Sequence, residues 1–322
     1  MIDESEKQRL RDLKKRAVHD LCSVNLDLYP ILDKTDKRLR KYIESIQDNP
    51  EAHNLYEVLA AVRFFNHLDK YIFKTKVVKK YIVLYESLIF NGMKGKVRYK
   101  LTPIQVFQFS SILGFYRTER KRLCRTALLF VPRKFSKTTS VATLAIDELL
   151  FGDANAQAFV AANSYDQAQI CFTEIKGILQ NMDRGLRRFK TNREKIYNLM
   201  PGKTSFAKCL ASDADKLDGL NASLVIVDEY SQADSADLKN VLTSSMGARV
   251  NPLTVIITTA SEKLNGPFYN ELQGYKEVLE GKYEDDSVFA HIFEPDIDDE
   301  ESSEDTWKKV QPHWGVTVEP DY

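Results

Sequence analysis

The segment Leu128-Leu-Phe-Val-Pro-Arg-Lys-Phe-Ser-Lys-Thr-Thr139 is the most informative about the class of fold, because an apolar run is followed there by a polar turn and a helical pattern. Lys137 and Thr138, which open a helix after a buried strand, form the Walker A arrangement. In it, backbone N–H groups and the helix dipole hold phosphates. The lysine then reaches the β- and γ-phosphate oxygens, and the threonine hydroxyl binds Mg²⁺. The match is imperfect, since Val131 and Ser136 occupy the two glycine positions.

Further short apolar runs have the length of strands and do not alternate with polar residues. Together with the run at 126–131 they lie at 158–162, 224–227, 254–258 and 288–293. Helical patterns at 140–150 and 166–181 separate some of them, which is a repeated strand–helix order. This order predicts a three-layer α/β/α fold whose parallel strands are buried on both faces.

The chain divides into three regions by composition. Residues 1–95 carry apolar residues at helical spacing, as at 55–65 and 77–84, so we expect a helical N-terminal region that ends in a turn at 91–95. A P-loop core follows at 96–295. The tail at 296–322 begins with acids that have almost no apolar residues among them, which predicts a solvated linker. These acids are Asp296, Asp298, Asp299, Glu300, Glu301, Glu304 and Asp305.

The overall composition excludes several classes of protein. Of 322 residues, 43% are apolar and 29% are charged, which rules out a fully disordered chain. No run approaches the roughly 18 apolar residues of a membrane span, and the acidic start argues against a signal peptide. The four cysteines lie far apart, which excludes a zinc ribbon and favours a reducing compartment.

A net charge of zero conceals a strong asymmetry. Between 94 and 137 there are twelve Lys or Arg against the single acid Glu119, and between 284 and 305 there are eleven acids and no Lys or Arg. Clustered cations suggest a polyanion such as a nucleotide or a nucleic acid. Both runs are equally compatible with ordinary solvated faces.

The segment Ser223-Leu-Val-Ile-Val-Asp-Glu-Tyr230 has the pattern of a Walker B strand. Asp228 would hold the Mg²⁺ water shell, and Glu229 would orient and activate the attacking water. Acidic pairs after strands also serve as helix N-caps, so the segment alone leaves both readings open. The two motifs together, some 90 residues apart, place phosphate-binding and Mg²⁺-binding groups at one edge of a sheet.

Two weaker signals depend on this context. Residues 254–261 form a strand ending in hydroxyls that could sense the γ-phosphate, although strand-end capping explains them equally well. Gln105 could hydrogen-bond adenine, because its amide is both donor and acceptor, whereas a lone Gln on a helix is usually a surface residue.

With these motifs in this order, the chain resembles the large terminase subunits of tailed bacteriophages, the DNA-packaging motors. The resemblance covers roughly residues 80–322. It rests on Pro103-Ile-Gln105, Pro132-Arg-Lys-Phe-Ser-Lys-Thr138, Ala161-Ala-Asn-Ser-Tyr-Asp-Gln-Ala168, Leu217-Asp-Gly-Leu-Asn-Ala-Ser-Leu-Val-Ile-Val-Asp-Glu229, Thr258-Thr-Ala-Ser261 and Trp307-Lys-Lys-Val-Gln-Pro-His-Trp-Gly315.

The resemblance implies an ATPase core of the additional-strand, conserved-glutamate type that uses ATP and Mg²⁺. Such a core would assemble as a homo-oligomeric ring, expected to be a pentamer, and pull double-stranded DNA into a prohead through its portal. The small terminase subunit would be a further partner, no membrane would be involved, and the work would take place in the host cytoplasm. Full-length relatives also carry a C-terminal endonuclease, which we expect this chain to lack.

The resemblance also assigns roles to individual residues. The catalytic residues would be Glu229, Lys137 and Arg133, the metal residues Thr138 and Asp228, and the coupling motif 258–261. The nucleotide contacts would be Gln105, Pro132, Arg133, Lys134, Phe135, Ser136, Lys137, Thr138 and Thr139.

Two departures from the family pattern leave questions open. Ser136 stands where the family usually keeps glycine, and Asp218 stands where a trans-acting arginine often lies. The substitutes for that arginine are Lys216, Arg187, Arg188 and Arg193, or Arg133 acting in cis. The rival readings are a superfamily-2 helicase, which needs a second RecA-like domain, and a nucleotide-binding scaffold that does not hydrolyse.

Overall fold

The computed structural model describes residues 3–92, 94–183, 185, 187–210 and 219–318. The helices there are α1 (Glu4–Cys22), α2 (Ile31–Thr35), α3 (Lys37–Asp48), α4 (Leu55–Lys70), α5 (Thr75–Ser87), α6 (Pro103–Leu113), α7 (Lys137–Phe151), α8 (Tyr165–Met182), α9 (Asp237–Ser244), α10 (Pro267–Leu279) and α11 (Glu304–Val310). The strands are β1 (Ile72–Phe73), β2 (Phe90–Gly92), β3 (Gly95–Val97), β4 (Phe115–Tyr116), β5 (Thr126–Phe130), β6 (Gln157–Ala162), β7 (Phe189–Thr191), β8 (Lys195–Asn198), β9 (Phe206–Leu210), β10 (Leu224–Asp228), β11 (Leu253–Thr258) and β12 (Val288–Ile292).

The centre of the molecule is an eight-stranded sheet in the order β12-β5-β11-β10-β6-β9-β8-β7. The six strands from β12 to β9 are parallel, while β8 runs antiparallel to both of its neighbours. Every residue of β10 and β11 is buried. Successive side chains of a strand point to opposite faces, so both faces of the sheet are covered. The predicted three-layer α/β architecture is therefore confirmed.

The position of β11 in the sheet shows that the core is of the additional-strand type. It lies between β5 and β10, with Thr258 level with Phe130 and Ile257 level with Asp228. The strand that leads to the Walker A segment and the strand that ends in the acidic pair are thus separated by one additional strand, as expected. All three strands end at the same carboxyl edge, which brings the loops that follow them together.

The N-terminal helices pack directly on this core. Helix α4 contacts β12, and α3 contacts α6. Buried apolar residues from Ala17 to Phe293 form one continuous cluster. Inside it, the Tyr42 hydroxyl donates to Glu57 Oε1 at 3.0 Å and lies 3.0 Å from His291 Nε2.

The proposed boundaries at 95 and 295 remain predictions, and the predicted turn at 91–95 is a hairpin formed by β2 and β3.

The acidic segment differs from the solvated linker that its composition predicts. The Asp296 carboxylate accepts the Leu55 N–H at 2.7 Å and pairs with Lys14 at 2.7 Å and Lys309 at 3.2 Å. Asp299 pairs with Lys309 at 2.5 Å, and the two acidic side chains are only 12% and 15% exposed. Lys14 lies in α1 and Lys309 in α11, so the composition of the acidic segment by itself does not indicate these partners.

The basic stretch 94–137 does not form one surface. Because β5 starts at Thr126 and ends at Phe130, the cations at 117–125 lie at the amino edge of the sheet and those at 133–137 at the carboxyl edge. Arg122 is partly used by the fold itself, since it donates to the carbonyl oxygens of Asn251 and Pro252. Among the described helices, none has the length and apolar content needed to cross a membrane.

Candidate nucleotide-binding site

The loop after β5 turns directly into α7, and Ser136 is the N-cap residue of that helix. Within the described part of the chain, no carbonyl oxygen or side chain accepts the N–H groups of Lys137, Thr138 and Thr139. Free N–H groups at the positive end of a helix form a binding place for anions. The loop therefore has the backbone arrangement that a phosphate chain requires.

The described residues include three non-glycine residues with positive φ, and all three lie at this edge of the sheet. They are Lys134 (φ 67°), Ser136 (φ 60°) and Glu229 (φ 52°). Left-handed backbone is unfavourable for residues with a Cβ and tends to persist at functional sites, where the surroundings enforce it. Val131, the other glycine position of the motif, is a buried residue without positive φ. Of the two glycine positions of the motif, Ser136 alone therefore has a backbone conformation that favours glycine.

Lys137 and Glu229 are brought together from α7 and from the residue after β10. The lysine Nζ forms an ion pair with Glu229 Oε1, in which the side chains are 12% and 28% exposed. Glu229 Oε2 accepts a hydrogen bond from the Thr259 hydroxyl at 3.3 Å, and the Glu229 N–H donates to Ile257 O at 2.9 Å. The two residues expected to act on the γ-phosphate are thus in contact across the carboxyl edge.

Asp228 lies beside this pair and is 94% buried by its neighbours, with 6% relative exposure. Its Oδ1 atom is buried without a hydrogen-bond partner among the described residues. The pKa of Asp228 is raised to about 6, mainly by burial, with the nearby Lys137 lowering it and the Glu229 charge raising it by smaller amounts. A buried carboxylate oxygen without a partner is a group that a cation would satisfy.

The donor set fits Mg²⁺. Thr138 is the second residue of α7, and Asp228, the last residue of β10, offers its unpaired oxygen. No cluster of three or more His, Cys, Asp or Glu residues occurs in the part of the chain that the structure describes. Mg²⁺ commonly takes one or two protein ligands together with phosphates and water, so two donors suffice.

The hydroxyl motif that follows β11 contacts both the acid and the turn after it. Thr258 Oγ1 accepts the Ser231 N–H at 3.0 Å, and the Ser261 hydroxyl donates to Ser231 O at 3.2 Å. Together with the Thr259–Glu229 contact, these bonds connect the motif to the segment that carries the expected catalytic glutamate.

Gln105 differs from the expected adenine contact. It is buried at the start of α6, where its Oε1 accepts the Thr102 N–H at 2.9 Å and the Thr102 hydroxyl at 3.1 Å. Its Nε2 donates to Ser140 Oγ at 3.0 Å. The amide is therefore used inside the protein, as a cap for α6 and a link to α7, and it is not exposed to a base.

The remaining loop residues divide into exposed and buried groups. Arg133 and Lys134 are exposed, and Pro132 is half-buried. Phe135 is buried, with its ring stacked on His313 (centroids 4.3 Å apart), so only its backbone can face a nucleotide. No pattern in the sequence predicted that residues near 313 contact this loop.

The candidate trans-acting cations lie at different edges of the sheet. Arg193 follows β7 in the turn to β8, at the carboxyl edge, and its guanidinium stacks over the Tyr165 ring at 5.3 Å. Arg187 and Arg188 precede β7 and lie at the amino edge. Lys216 and Asp218 fall outside the described residues. Between five and six strand spacings separate Arg193 from β5, on the order of 25 Å, so it cannot reach the phosphate loop of its own chain.

Comparison with known proteins places this geometry in a family. The chain is 33% identical over 101 residues to protein YmfN of Escherichia coli K12, covering 31% of this chain and 22% of YmfN. It is 24% identical over 237 residues to the terminase large subunit of Enterobacteria phage HK97, covering 69% of this chain and 44% of the relative. The chain thus spans less than half the length of either curated relative.

The fold is also that of a solved terminase. The crystal structure of the HK97 bacteriophage large terminase superposes with a TM-score of 0.62 at 21% identity, over 76% of this chain and 49% of that one. The described residues contain one large sheet and two small two-stranded sheets, so they do not include the second RecA-like sheet that a helicase would need.

A family model for the ATPase domain of the terminase large subunit matches residues 103–277, which is more than half of the chain. The matched stretch runs from the start of α6 through the phosphate loop, the acidic pair and the hydroxyl motif into α10. The chain therefore belongs to the terminase large subunit ATPase domain family.

Proposed function

We propose that this chain hydrolyses ATP as the motor portion of a phage terminase and thereby moves double-stranded DNA into a prohead. The observation that carries the proposal is the meeting of Lys137 and Glu229 at one sheet edge, beside the buried, unpaired Oδ1 of Asp228. A phosphate-facing lysine, a general base and a metal-shell acid are the parts that phosphoryl transfer to water needs.

In the proposed reaction, the phosphates of ATP lie on the free N–H groups at the start of α7. Lys137 exchanges its partner Glu229 for the phosphate oxygens. The released carboxylate, still held by the Thr259 hydroxyl, accepts a proton from the attacking water. Mg²⁺ held by Thr138 and Asp228 would neutralise negative charge on the phosphates. Val131 contributes packing, whereas Ser136 contributes the turn that aims the N–H groups.

A cation from a neighbouring copy would complete the site. Arg193 is the candidate that the topology favours, because it lies at the carboxyl edge but too far from its own phosphate loop to act in cis. Arg133, which is exposed inside the loop, is the candidate within one chain. This arrangement supports a homo-oligomeric ring, proposed to be a pentamer.

The remaining partners follow from the family role and are part of the same proposal. They are the portal of the prohead, the small terminase subunit and double-stranded DNA, whose phosphates would be contacted without reading the bases. The setting would be the cytoplasm of the host cell.

The test is Glu229→Gln, measured by phosphate release and by calorimetric binding of an ATP analogue. The amide keeps the shape but cannot accept a proton, so turnover should fall by roughly 10²- to 10⁴-fold while binding is retained. Glu262→Gln is the matched control, an exposed glutamate just beyond β11 at the same edge. Near-normal turnover in Glu229→Gln would remove the proposed base.

The measurement should be made at protein concentrations that allow a ring to form, and repeated with proheads. A parent chain that binds the nucleotide and releases no phosphate under either condition would favour the non-hydrolysing scaffold.

A further inference from the structure

Residues 311–317, which we call the tail brace, lie against the phosphate loop although they are some 180 residues away in sequence. Gln311 Nε2 donates to Arg133 O at 3.0 Å, and the Thr317 hydroxyl donates to Lys134 O. Between these two contacts the His313 ring stacks on the Phe135 ring, with centroids 4.3 Å apart and planes 22° apart. Three successive loop residues are therefore each held by the brace.

His313 also connects the brace to the helix behind the loop. It is 1% exposed, and its Nε2 lies 3.2 Å from the Thr102 hydroxyl at the start of α6. Burial lowers the pKa of His313 to about 4, so the ring is neutral near pH 7. From Thr102 the hydrogen bonds continue through Gln105 to Ser140, whose hydroxyl donates to Ser136 O at 3.0 Å.

The brace has its own fixed shape. The N–H groups of Val316 and Thr317 donate to His313 O at 2.9 and 3.0 Å, which closes a compact turn. The preceding helix α11 is attached to the body of the protein through Lys309 and its two acidic partners. The brace therefore presents Gln311, His313 and Thr317 to the loop from a supported position.

The loop needs such support because it has no glycine. Lys134 and Ser136 both adopt left-handed backbone, and each is a conformation that costs a residue with a Cβ roughly 1–2 kcal/mol. Strained backbone persists where the surrounding structure over-determines it. The contacts of the brace fall on Arg133, Lys134 and Phe135, directly at this strained segment.

We propose that the tail brace holds the phosphate loop in its strained anion-binding conformation and so takes the place of the glycines that the loop lacks. Gln311, His313 and Thr317 are then positioning residues for nucleotide binding, a role that rests on the function proposed above. The brace contacts carbonyl oxygens and the buried face of Phe135, while the N–H groups of α7 stay free. It therefore supports the nucleotide site without covering it.

The first experiment follows the loop in the nucleotide-free full chain by limited trypsin digestion and mass spectrometry. The loop contains the cleavage sites Arg133 and Lys134, and the exposed turn at 117–121 supplies Arg120 as an internal standard. His313→Ala should raise cleavage at the loop about tenfold relative to the standard, because proteolysis follows the population of the open form. Gln311→Ala, which removes one hydrogen bond and no buried ring, should raise it about threefold.

Val316→Ala is the matched control, since Val316 belongs to the brace but is 62% exposed. It should leave the cleavage ratio unchanged. Equal ratios for the parent, His313→Ala and Gln311→Ala would overturn the proposal. If His313→Ala fails to fold, the Gln311→Ala ratio decides alone.

The second experiment measures calorimetric affinity for an ATP analogue in two backgrounds. His313→Ala should weaken binding about tenfold in the parent and threefold or less in the Ser136→Gly background, because glycine removes strain that the brace otherwise restrains. An equal loss in both backgrounds, or tighter binding by His313→Ala, would overturn the role. A parent chain that binds no nucleotide would refute the proposed function, and the cleavage ratios would then decide the brace alone.

Discussion

Ser136→Gly should stabilise the nucleotide-free chain. Ser136 has φ 60° and ψ 34°, and its side chain makes no capping hydrogen bond that the substitution would lose. Left-handed backbone costs a residue with a Cβ roughly 1–2 kcal/mol, which glycine would not incur. The greater conformational freedom of glycine in the unfolded chain reduces this gain in stability by about 0.5–1 kcal/mol. The expected net gain in the free energy of unfolding is about 0.75 kcal/mol, within a range of roughly 0 to 1.5 kcal/mol.

The matched comparison is Val131→Gly, at the other glycine position of the same loop. Val131 has no positive φ and is 2% exposed, so its replacement removes a buried side chain without relieving strain. It should cost about 2 kcal/mol or more. Urea unfolding of the three proteins measures both differences from the shift in midpoint at constant slope.

Opposite signs for the two substitutions are the expected result, with phosphate release by Ser136→Gly equal to or above that of the parent. Destabilisation by both would show that the Ser136 backbone is not strained. A large loss of phosphate release with unchanged stability would instead identify the serine hydroxyl as a ligand of the nucleotide.

Three further predictions concern charged groups. Lys137→Ala should weaken binding of an ATP analogue about tenfold or more, and unchanged calorimetric affinity would place the lysine away from the phosphates. Burial raises the pKa of Asp147 from 3.8 to about 6, so the folded state disfavours the ionised form and stability falls as the pH rises from about 4 to 6. Asp147→Asn should therefore stabilise the chain at pH 7 by up to about 3 kcal/mol, a figure that already includes the attraction of Lys80, and should have no such effect near pH 4. Equal unfolding shifts at both pH values would contradict this. The purified chain should leave supercoiled plasmid intact with Mn²⁺, since Asp296 is engaged by Lys309; nicking that disappears in Asp296→Ala is the opposing result.

The strands at the site were predictable because strands buried on both faces consist of uninterrupted apolar runs, as at 126–131 and 254–258. Their order in the sheet was not encoded in those runs. The placement of β11 between β5 and β10 was expected only because the motifs resemble a family. The acidic pair was visible for a similar reason, since polar residues directly after a buried strand mark its carboxyl end.

Two residues have surroundings that their sequence context did not indicate. Gln105 was expected to contact a base, but its amide is bonded to Thr102, three residues away, and to Ser140 on the next helix. Asp296 was expected to be solvated, but its carboxylate pairs with Lys14 and Lys309. Ser140 and Lys14 are brought to these residues only by the fold.

The ion pair between Lys137 and Glu229 has a consequence for timing. If ATP binds as proposed, the Lys137 ammonium group cannot face the triphosphate and the Glu229 carboxylate fully at the same moment, so binding of the one would release the other in a single exchange of counter-ions. Under that proposal, Glu229 would stay paired in an empty chain and would be free to act as the base in a filled one. In an assembly of identical copies, occupancy by itself would then determine which copy is ready to react.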